Sequence, residues 1–357
     1  VETLRGVGRL AGPHQVRVET ESGTEMLEAR NIVIATGSVP RQLPVAPVDG
    51  RWVINSDHAL EMERVPGSVV VLGAGAVGAE FASLFASFGS QVTLVEMLPR
   101  LLPLEDAEIS KELGRAFRKR RIKVLTGATL AETERGAEGV RLRLAGEGES
   151  RWLETELLLV AVGRAPVTAG LGLEEAGSEL ENGEVRVNQF MQTSLSHVYA
   201  IGDVVKTPWL AHVASAEGIL AVEHAAGAEA RPLDYDRVPS VTYCDPEVGS
   251  VGLSEEEARE RGYDAAVGKF PFSASGKAAI EGKGEGFVKV VRETRYDELL
   301  GVHIIGPHAT DLIAEACVAL QLESTTEELF HAMHAHPTLS EAMAEAAHAA
   351  VGRPIHI

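Results

Sequence analysis

Cysteine is nearly absent from this chain of 357 residues: only Cys244 and Cys317 occur, far apart and in unrelated surroundings. They form neither a CxxC-type redox pair nor a zinc framework, and two reduced, buried thiols are the ordinary reading. Basic residues are scarce beside acidic ones, 33 against 52, for a formal charge of −19. That balance opposes phosphate-backbone partners and argues against nucleic acid as a ligand. No run approaches the roughly 18 apolar residues of a membrane helix, and no basic segment precedes a signal-like apolar stretch. The expectation is a soluble, cytoplasmic protein with no membrane partner. A clean beginning is missing too: "VETLRGVGRL", "HQVRVETESG" and "EMLEARNIVIATG" read as strands and turns in mid-sheet. We therefore expect the N-terminal part of the parent protein to be absent.

What is present is organised in blocks. The length exceeds one ordinary core, so two or three domains are expected. The stretch "SVVVLGAGAVGAEFASLFASFGSQVTLVE" runs from an apolar β-branched strand, Val69 to Leu72, into Gly73-x-Gly75-x-x-Gly78. A helix pattern from Ala79 to Phe88 follows, then a strand from Gln91 to Val95 that ends at Glu96. A lone GxGxxG is weak, whereas strand, glycines, helix, strand and terminal acid in this order predict a dinucleotide-binding βαβ unit. Bare glycine amides at a helix N-terminus suit a pyrophosphate. A carboxylate at Glu96 accepts ribose hydroxyls and repels a 2′-phosphate, which predicts NAD over NADP. Arg100, nearby, reads as a solvated surface side chain.

Two further segments echo each other, "VIATGSVP" (33 to 40) and "LVAVGRAP" (159 to 166), each a short strand followed by Ala-x-Gly-x-x-Pro. The echo suggests two related nucleotide-binding units, with glycine letting the chain turn close to a ligand. "SHVYAIGDVV" ends a strand at Gly202-Asp203, where open α/β sheets bind ligands. Asp203 fits a ligand contact and a simple turn aspartate equally. From about Pro239 the pattern changes to an antiparallel sheet with one short helix, then alanine-rich helices around 309 to 322 and 340 to 351.

Near the end stands "HAHPTLSE", residues 334 to 341. His331, His334 and His336 could suggest a metal, but no nearby acid or cysteine completes a tetrahedral set, and no metal is expected. Thr338-x-x-Glu341 is a capping-box pattern that would start the last helix without any catalysis. A histidine held by a carboxylate is also what a general base near neutral pH requires. Pro337 could form a cis turn that aims the His336 ring outward.

The order ATGS (35 to 38), GAGAVGAEFA (73 to 82), VGRAP (162 to 166), AIGDV (200 to 204), WLAH (209 to 212) and HAHPTLSEA (334 to 342) closely resembles the dihydrolipoamide dehydrogenases. These are flavin-dependent pyridine nucleotide-disulfide oxidoreductases, and the likeness runs essentially from end to end. It implies an α/β fold with two Rossmann-like nucleotide-binding domains, for FAD and NAD, plus an α+β dimerisation domain. The implied division is 1–40 and 167–238 for FAD, 41–166 for NAD and 239–357 for the interface. The implied FAD contacts are Gly8 on the adenine side, Thr36, Gly37 and Ser38 in the returning chain, and Gly202 with Asp203 at the ribityl and pyrophosphate region. Leu210, Ala211 and His212 would lie beside the isoalloxazine ring, with Ala211 beginning a helix. Glu80 resembles the family's acid beside the flavin, while Gly73, Gly75, Gly78, Glu96, Val124 and Gly163 match positions on the dinucleotide side.

By the same resemblance His336 is the base for dihydrolipoamide and Glu341 its orienting carboxylate. The pair serves a second subunit, which implies a homodimer, and a lipoyl-bearing acyltransferase of a 2-oxo acid dehydrogenase complex is the implied partner. The family's first flavin fingerprint and its Cys-x4-Cys disulfide are not in the sequence, and both are expected upstream of Val1. The rival readings are another flavin disulfide reductase or transhydrogenase, and a non-catalytic dimerising fragment. Glu96 speaks against NADP-linked glutathione reduction, and His336-Pro337 against the mercuric reductase and transhydrogenase branches.

Overall fold

The computed structural model of the chain describes residues 1–146 and 150–357; in the stretch from Arg121 to Gly163 the sequence pattern alternates short strands with Gly/Glu turns, and the turn expected at 147–149 lies outside the described residues. The described residues gather into two compact units, one of Val1–Val39 with Arg164–Tyr235, the other of Pro40–Gly163 with Asp236–Ile357.

In the first unit, strands Val7–Gly12, Gln15–Thr20 and Gly23–Glu28 form an antiparallel meander. Strand Ile32–Ile34 runs parallel to Val198–Ala200. These two meet in an apolar cluster with Leu10, Leu173, Val185, Val204 and Val205. A 3-10 turn, Gly202–Val204, follows the second of them, and helix Ala211–Ala225 comes after it.

The second unit holds a five-stranded parallel sheet in the order Val53–Ile54, Leu157–Val160, Ser68–Leu72, Gln91–Val95, Lys123–Leu125. A parallel sheet is covered on both faces, which is why Val69–Leu72 and Leu157–Leu159 are apolar at successive positions rather than alternate ones. Helices Ala76–Ser87 and Ala107–Lys119 cover it, with Phe81, Phe85, Ile109, Leu113 and Phe117 in the core. The first helix begins three residues earlier than its apolar pattern indicates. Gly78 lies inside it because a Cβ there would stand 1.8 Å from the Gly73 carbonyl oxygen.

The same unit carries a five-stranded antiparallel sheet in the order Ser240–Thr242, Glu247–Gly252, Leu299–Gly306, Phe287–Glu293, Ala265–Pro271. Helices Ala309–Gln321, Thr326–His331 and Glu341–Ala350 close over one face, burying Ile313, Ala316, Met343 and Ala347 against Val288, Val290, Val302 and Ile304. At Gly268 a Cβ would meet Ala350 N at 2.0 Å, so only glycine lets the last helix come this close. The short helices Gly276–Glu281 and Thr326–His331 were not anticipated from the sequence pattern.

Candidate active site

Three constellations emerge. The first is the glycine turn of the parallel sheet. Gly73 has φ +99° and abuts the Ala161 carbonyl, where a Cβ would stand 2.3 Å away, so no other residue fits. Gly75 caps the 12-residue helix without a side-chain bond, no acid stands in its first turn, and a Cβ there would meet open space. Glu96 is buried: one carboxylate oxygen accepts Ala74 N–H at 2.7 Å, the other Leu98 N–H at 2.9 Å. The acid is thereby fixed beside the turn. Val124, half-buried in the edge strand, pairs with Leu94, and Gly163 (φ +108°) lies beyond strand Leu157–Val160. Arg100 is not a free surface cation. It is one third exposed and donates to Glu256 at 3.0 Å and to the Pro103 carbonyl at 3.1 Å.

The second constellation lies in the first unit. The two echoing segments come side by side: Thr36 Oγ1 donates to Val167 O at 2.6 Å and Val167 N–H to Gly37 O at 2.9 Å. Arg164 donates to Ser38 Oγ and Ser38 O at 2.6 and 2.7 Å, while Ser38 Oγ donates to Asp203 at 2.5 Å. Asp203 is thus more than a turn residue, because a serine and an arginine face it from a separate stretch of chain. Gly202 (φ +68°) supplies the turn, and its N–H donates to the fully buried Glu217 at 2.7 Å. The other Glu217 oxygen accepts Tyr235 O–H at 2.9 Å. Burial and this carboxylate push the tyrosine hydroxyl well above its ordinary range. Sequence reasoning missed Glu217, whose only signal is a lone acid in the apolar run "AHVASAEGILAV". Helix Ala211–Ala225 starts at Ala211, preceded by Leu210, with no side-chain cap and no acid in its first turn. Gly8 sits in the meander opposite Val18.

The third is the loop before the last helix. His336 Nδ1 bonds Glu341 at 2.8 Å, and the His336-Pro337 peptide is cis. The ring is 80% exposed. The capping box is only half formed. Thr338 N–H donates to the second Glu341 oxygen at 2.8 Å, but the Thr338 hydroxyl donates to Ala335 O and bonds Ser340, so Ser340 takes the cap position. Glu341 therefore serves both roles with separate oxygens. Partial burial pushes its carboxyl up, but the Thr338 N–H and the His336 ring together hold it below its ordinary range.

The other histidines turn to other acids. His334 bridges Glu315 at 2.7 Å and the Ala332 carbonyl at 2.9 Å, and His331 lies 3.4 Å from Glu327. Among the described residues no three such groups converge on a metal position.

Residues 2–218 match the family model for pyridine nucleotide-disulphide oxidoreductases, and residues 238–347 match that family's dimerisation domain. The chain belongs to the pyridine nucleotide-disulphide oxidoreductase family. It is 45% identical to dihydrolipoyl dehydrogenase of Bacillus subtilis, over all of this chain and 77% of the relative. It is 46% identical to the enzyme of that name from Thermus scotoductus, with the same coverage. Among solved structures it resembles LpdA of Mycobacterium tuberculosis (TM-score 0.87, 29% identity, 97% of this chain and 74% of that one). It also resembles the flavoprotein disulfide reductase RclA of Escherichia coli (TM-score 0.87, 26% identity, 96% and 77%).

FAD and NAD are the cofactors this family membership implies, and the residues fit both. The uncapped, acid-free helix start at Gly75 suits a pyrophosphate, and the one at Leu210 suits an electron-rich ring edge. Glu80 is half-buried and accepts Tyr243 N–H at 2.8 Å, and burial holds its carboxyl above the usual range. Neither cysteine is a redox thiol. Burial, with Glu80 adding to it, pushes the Cys244 thiol up to about 12, and burial raises Cys317 as well.

Proposed function

We propose that this chain carries out the NAD-linked oxidation of dihydrolipoamide to lipoamide, as a cytoplasmic flavoprotein homodimer. The balance is one dithiol and one NAD⁺ in, one disulfide, one NADH and one proton out. Bound FAD supplies the two-electron relay between dithiol and nicotinamide. The observation that carries the reading is the His336–Glu341 pair at 2.8 Å on an exposed loop of the dimerisation domain.

Thiolate is the nucleophile of disulfide exchange, so the substrate must lose a proton before it reacts. His336 takes that proton at Nε2, because Nδ1 is committed to Glu341. The carboxylate fixes the tautomer and stabilises the imidazolium that forms. Exposure of the ring on one chain suits its use at the redox centre of a second subunit. The redox pair is a Cys-x4-Cys element of the family, which Cys244 and Cys317 do not provide.

We assign 1–40 and 167–238 to FAD, 41–166 to NAD and 239–357 to the dimerisation domain. Asp203, held by Ser38 and Arg164 with Gly202 beneath it, takes the ribityl and pyrophosphate region of the flavin. Gly8, Thr36, Gly37, Leu210, Ala211 and His212 complete that site. Gly73, Gly75 and Gly78 take the NAD pyrophosphate, flanked by Val124 and Gly163. Glu96 keeps lone pairs for the ribose hydroxyls and its charge repels a 2′-phosphate. A lipoyl-bearing acyltransferase of a 2-oxo acid dehydrogenase complex is the proposed partner. To test the reading, protein carrying the family's redox cysteines is assayed for dihydrolipoamide-dependent reduction of NAD and of NADP, beside oxidised glutathione as a rival substrate. Turnover with dihydrolipoamide and NAD is expected, and preference for glutathione or NADP would overturn it.

A further inference from the structure

We propose that Lys289, in the antiparallel sheet of the dimerisation domain, is a positioning residue that holds the NAD-binding glycine turn through Asp106 and Leu102. The inference rests on the reading that NAD binds at that turn.

Lys289 is 1% exposed, yet it stands mid-strand in the sheet. Its Nζ donates to Asp106 at 2.9 Å and Glu255 at 2.8 Å, and lies 2.9 Å from Glu108. Lys269 also reaches Glu108, at 2.5 Å, and Arg259 reaches Glu255, at 2.7 Å. Three cations thus meet three carboxylates around Lys289 and Asp106, the pair that water hardly reaches. Burial opposes the charge on Lys289, but the surrounding carboxylates outweigh it and hold the ammonium protonated above the ordinary lysine range.

The polar groups form a row rather than a scatter. Ser240, Ser250, His303, Lys289 and Lys269 are successive partners across all five strands. Three of them, Ser240, Lys289 and Lys269, reach one segment, residues 105 to 108, which follows Glu96, while His303 turns to the Leu253 carbonyl at 3.0 Å. Ser240 donates to Glu105 at 3.0 Å, Lys289 and Lys269 take Asp106 and Glu108, and Glu256 takes Arg100 at 3.0 Å. Asp106 caps helix Ala107–Lys119 by accepting Glu108 N–H at 2.9 Å.

From there the chain of bonds leads to the nucleotide turn. Glu105 N–H donates to Leu102 O at 2.9 Å, and Leu102 N–H donates to Ala74 O at 2.8 Å. Ala74 is the residue between Gly73 and Gly75, and its own N–H is on Glu96. Leu102 has φ +41°, a conformation a leucine keeps only when its surroundings impose it. The anchors on residues 100 to 108 impose it. If the row were only a joint, apolar side chains would serve equally, as Val248, Cys244 and Ile305 do elsewhere against the same domain. The polar row acts where the chain that fixes Ala74 is otherwise strained.

The test is direct titration of the holoprotein with NAD, with steady-state kinetics beside it. Lys289→Met is expected to raise the NAD dissociation constant by about three- to thirtyfold, the range of coupling carried by such contact chains. The loss should fall on KM for NAD rather than on kcat, with KM for dihydrolipoamide unmoved. Asp106→Asn keeps the helix cap while removing the charge that Lys289 meets, so it should move NAD affinity the same way by less, and it stands in should Lys289→Met not fold. Wild-type protein that fails to bind NAD would sink the functional reading itself. Wild-type binding together with unchanged NAD affinity in the folded variants, whatever happens to their melting temperature, would overturn this inference alone.

Discussion

Replacing Glu217 separates a bond that positions the Gly202 turn from a carboxylate that merely fills space. Its side chain is fully buried and both oxygens are used, one by Gly202 N–H at 2.7 Å and one by Tyr235 O–H at 2.9 Å. Glutamine has nearly the same shape. Its carbonyl can accept Gly202 N–H while its amide donates to the tyrosine oxygen, so both bonds survive in neutral form. The lost charge assistance, roughly 1 kcal/mol, is partly offset because a buried charge no longer needs solvating. Glu217→Gln should therefore stay within about 1 kcal/mol of the parent. Leucine removes the acceptor of the buried Gly202 N–H, at about 1 to 3 kcal/mol, and that of the part-buried Tyr235 O–H, which costs less. Hydrogen exchange at the Gly202 amide reads this bond directly, since local opening exposes that amide. The glutamine variant should keep its protection within about fivefold. The leucine variant should lose at least tenfold, roughly 1.4 kcal/mol or more, and release FAD more readily. A Gly202 amide as protected in Glu217→Leu as in the parent would refute the argument.

Further outcomes follow from other sites. Glu341→Gln can satisfy either His336 or Thr338 N–H with its one carbonyl but not both, so dihydrolipoamide oxidation should fall about fivefold or more while NAD affinity holds, as kinetics and titration would show. His336→Gln removes the base itself, and dihydrolipoamide turnover surviving within a few-fold would sink that assignment. Gly78→Ala drives a methyl against the Gly73 carbonyl and should cost about 1 to 3 kcal/mol in urea unfolding along with weaker NAD binding. The His334 pKa is raised above its ordinary 6.5, chiefly by Glu315 and against the effect of burial. A group whose folded pKa is raised stabilises fully below its unfolded value and loses that contribution as pH rises through the folded one. His334→Gln should flatten the stability curve in the window that begins near pH 6.5 and runs upward, and an unchanged slope there would contradict the His334–Glu315 assignment.

How much of this was legible in the sequence differs from residue to residue. The βαβ unit was readable because a β-branched run, three spaced glycines and a terminal acid each have one cheap structural use, and all agree. The helix start was misplaced because Gly78 breaks the apolar pattern while the structure needs it inside the helix for close approach. His336 and Glu341 were visible as a pair through both the capping pattern and the family resemblance. That each Glu341 oxygen takes a separate task depends on the Thr338 backbone and was not visible. Arg100 and Lys289 were hidden for a stronger reason. In "FVKVVRE" the alternation puts lysine on the outward face, which would be solvent for a sheet covered once. This sheet is covered twice, and the acids that accept Lys289 come from residues 106, 108 and 255. Burial of that kind is a property of tertiary packing and leaves no local periodicity.

The niche around Lys289 also determines how the molecule responds to added electrolyte. Dissolved ions weaken an attraction by standing between its partners, and at about 1 M salt the Debye length shrinks to about 3 Å. Pairs such as Arg186–Glu179, with both side chains about 60% exposed, are open to that effect. Lys289 at 1% and Asp106 at 3% leave no room for a counterion to enter. Brine therefore loosens the exterior and relaxes the mutual repulsion of a chain carrying −19, while the ion pair behind the glycine turn keeps its strength. High ionic strength is, for this protein, a way of stripping the surface without disturbing the pair buried behind the glycine turn.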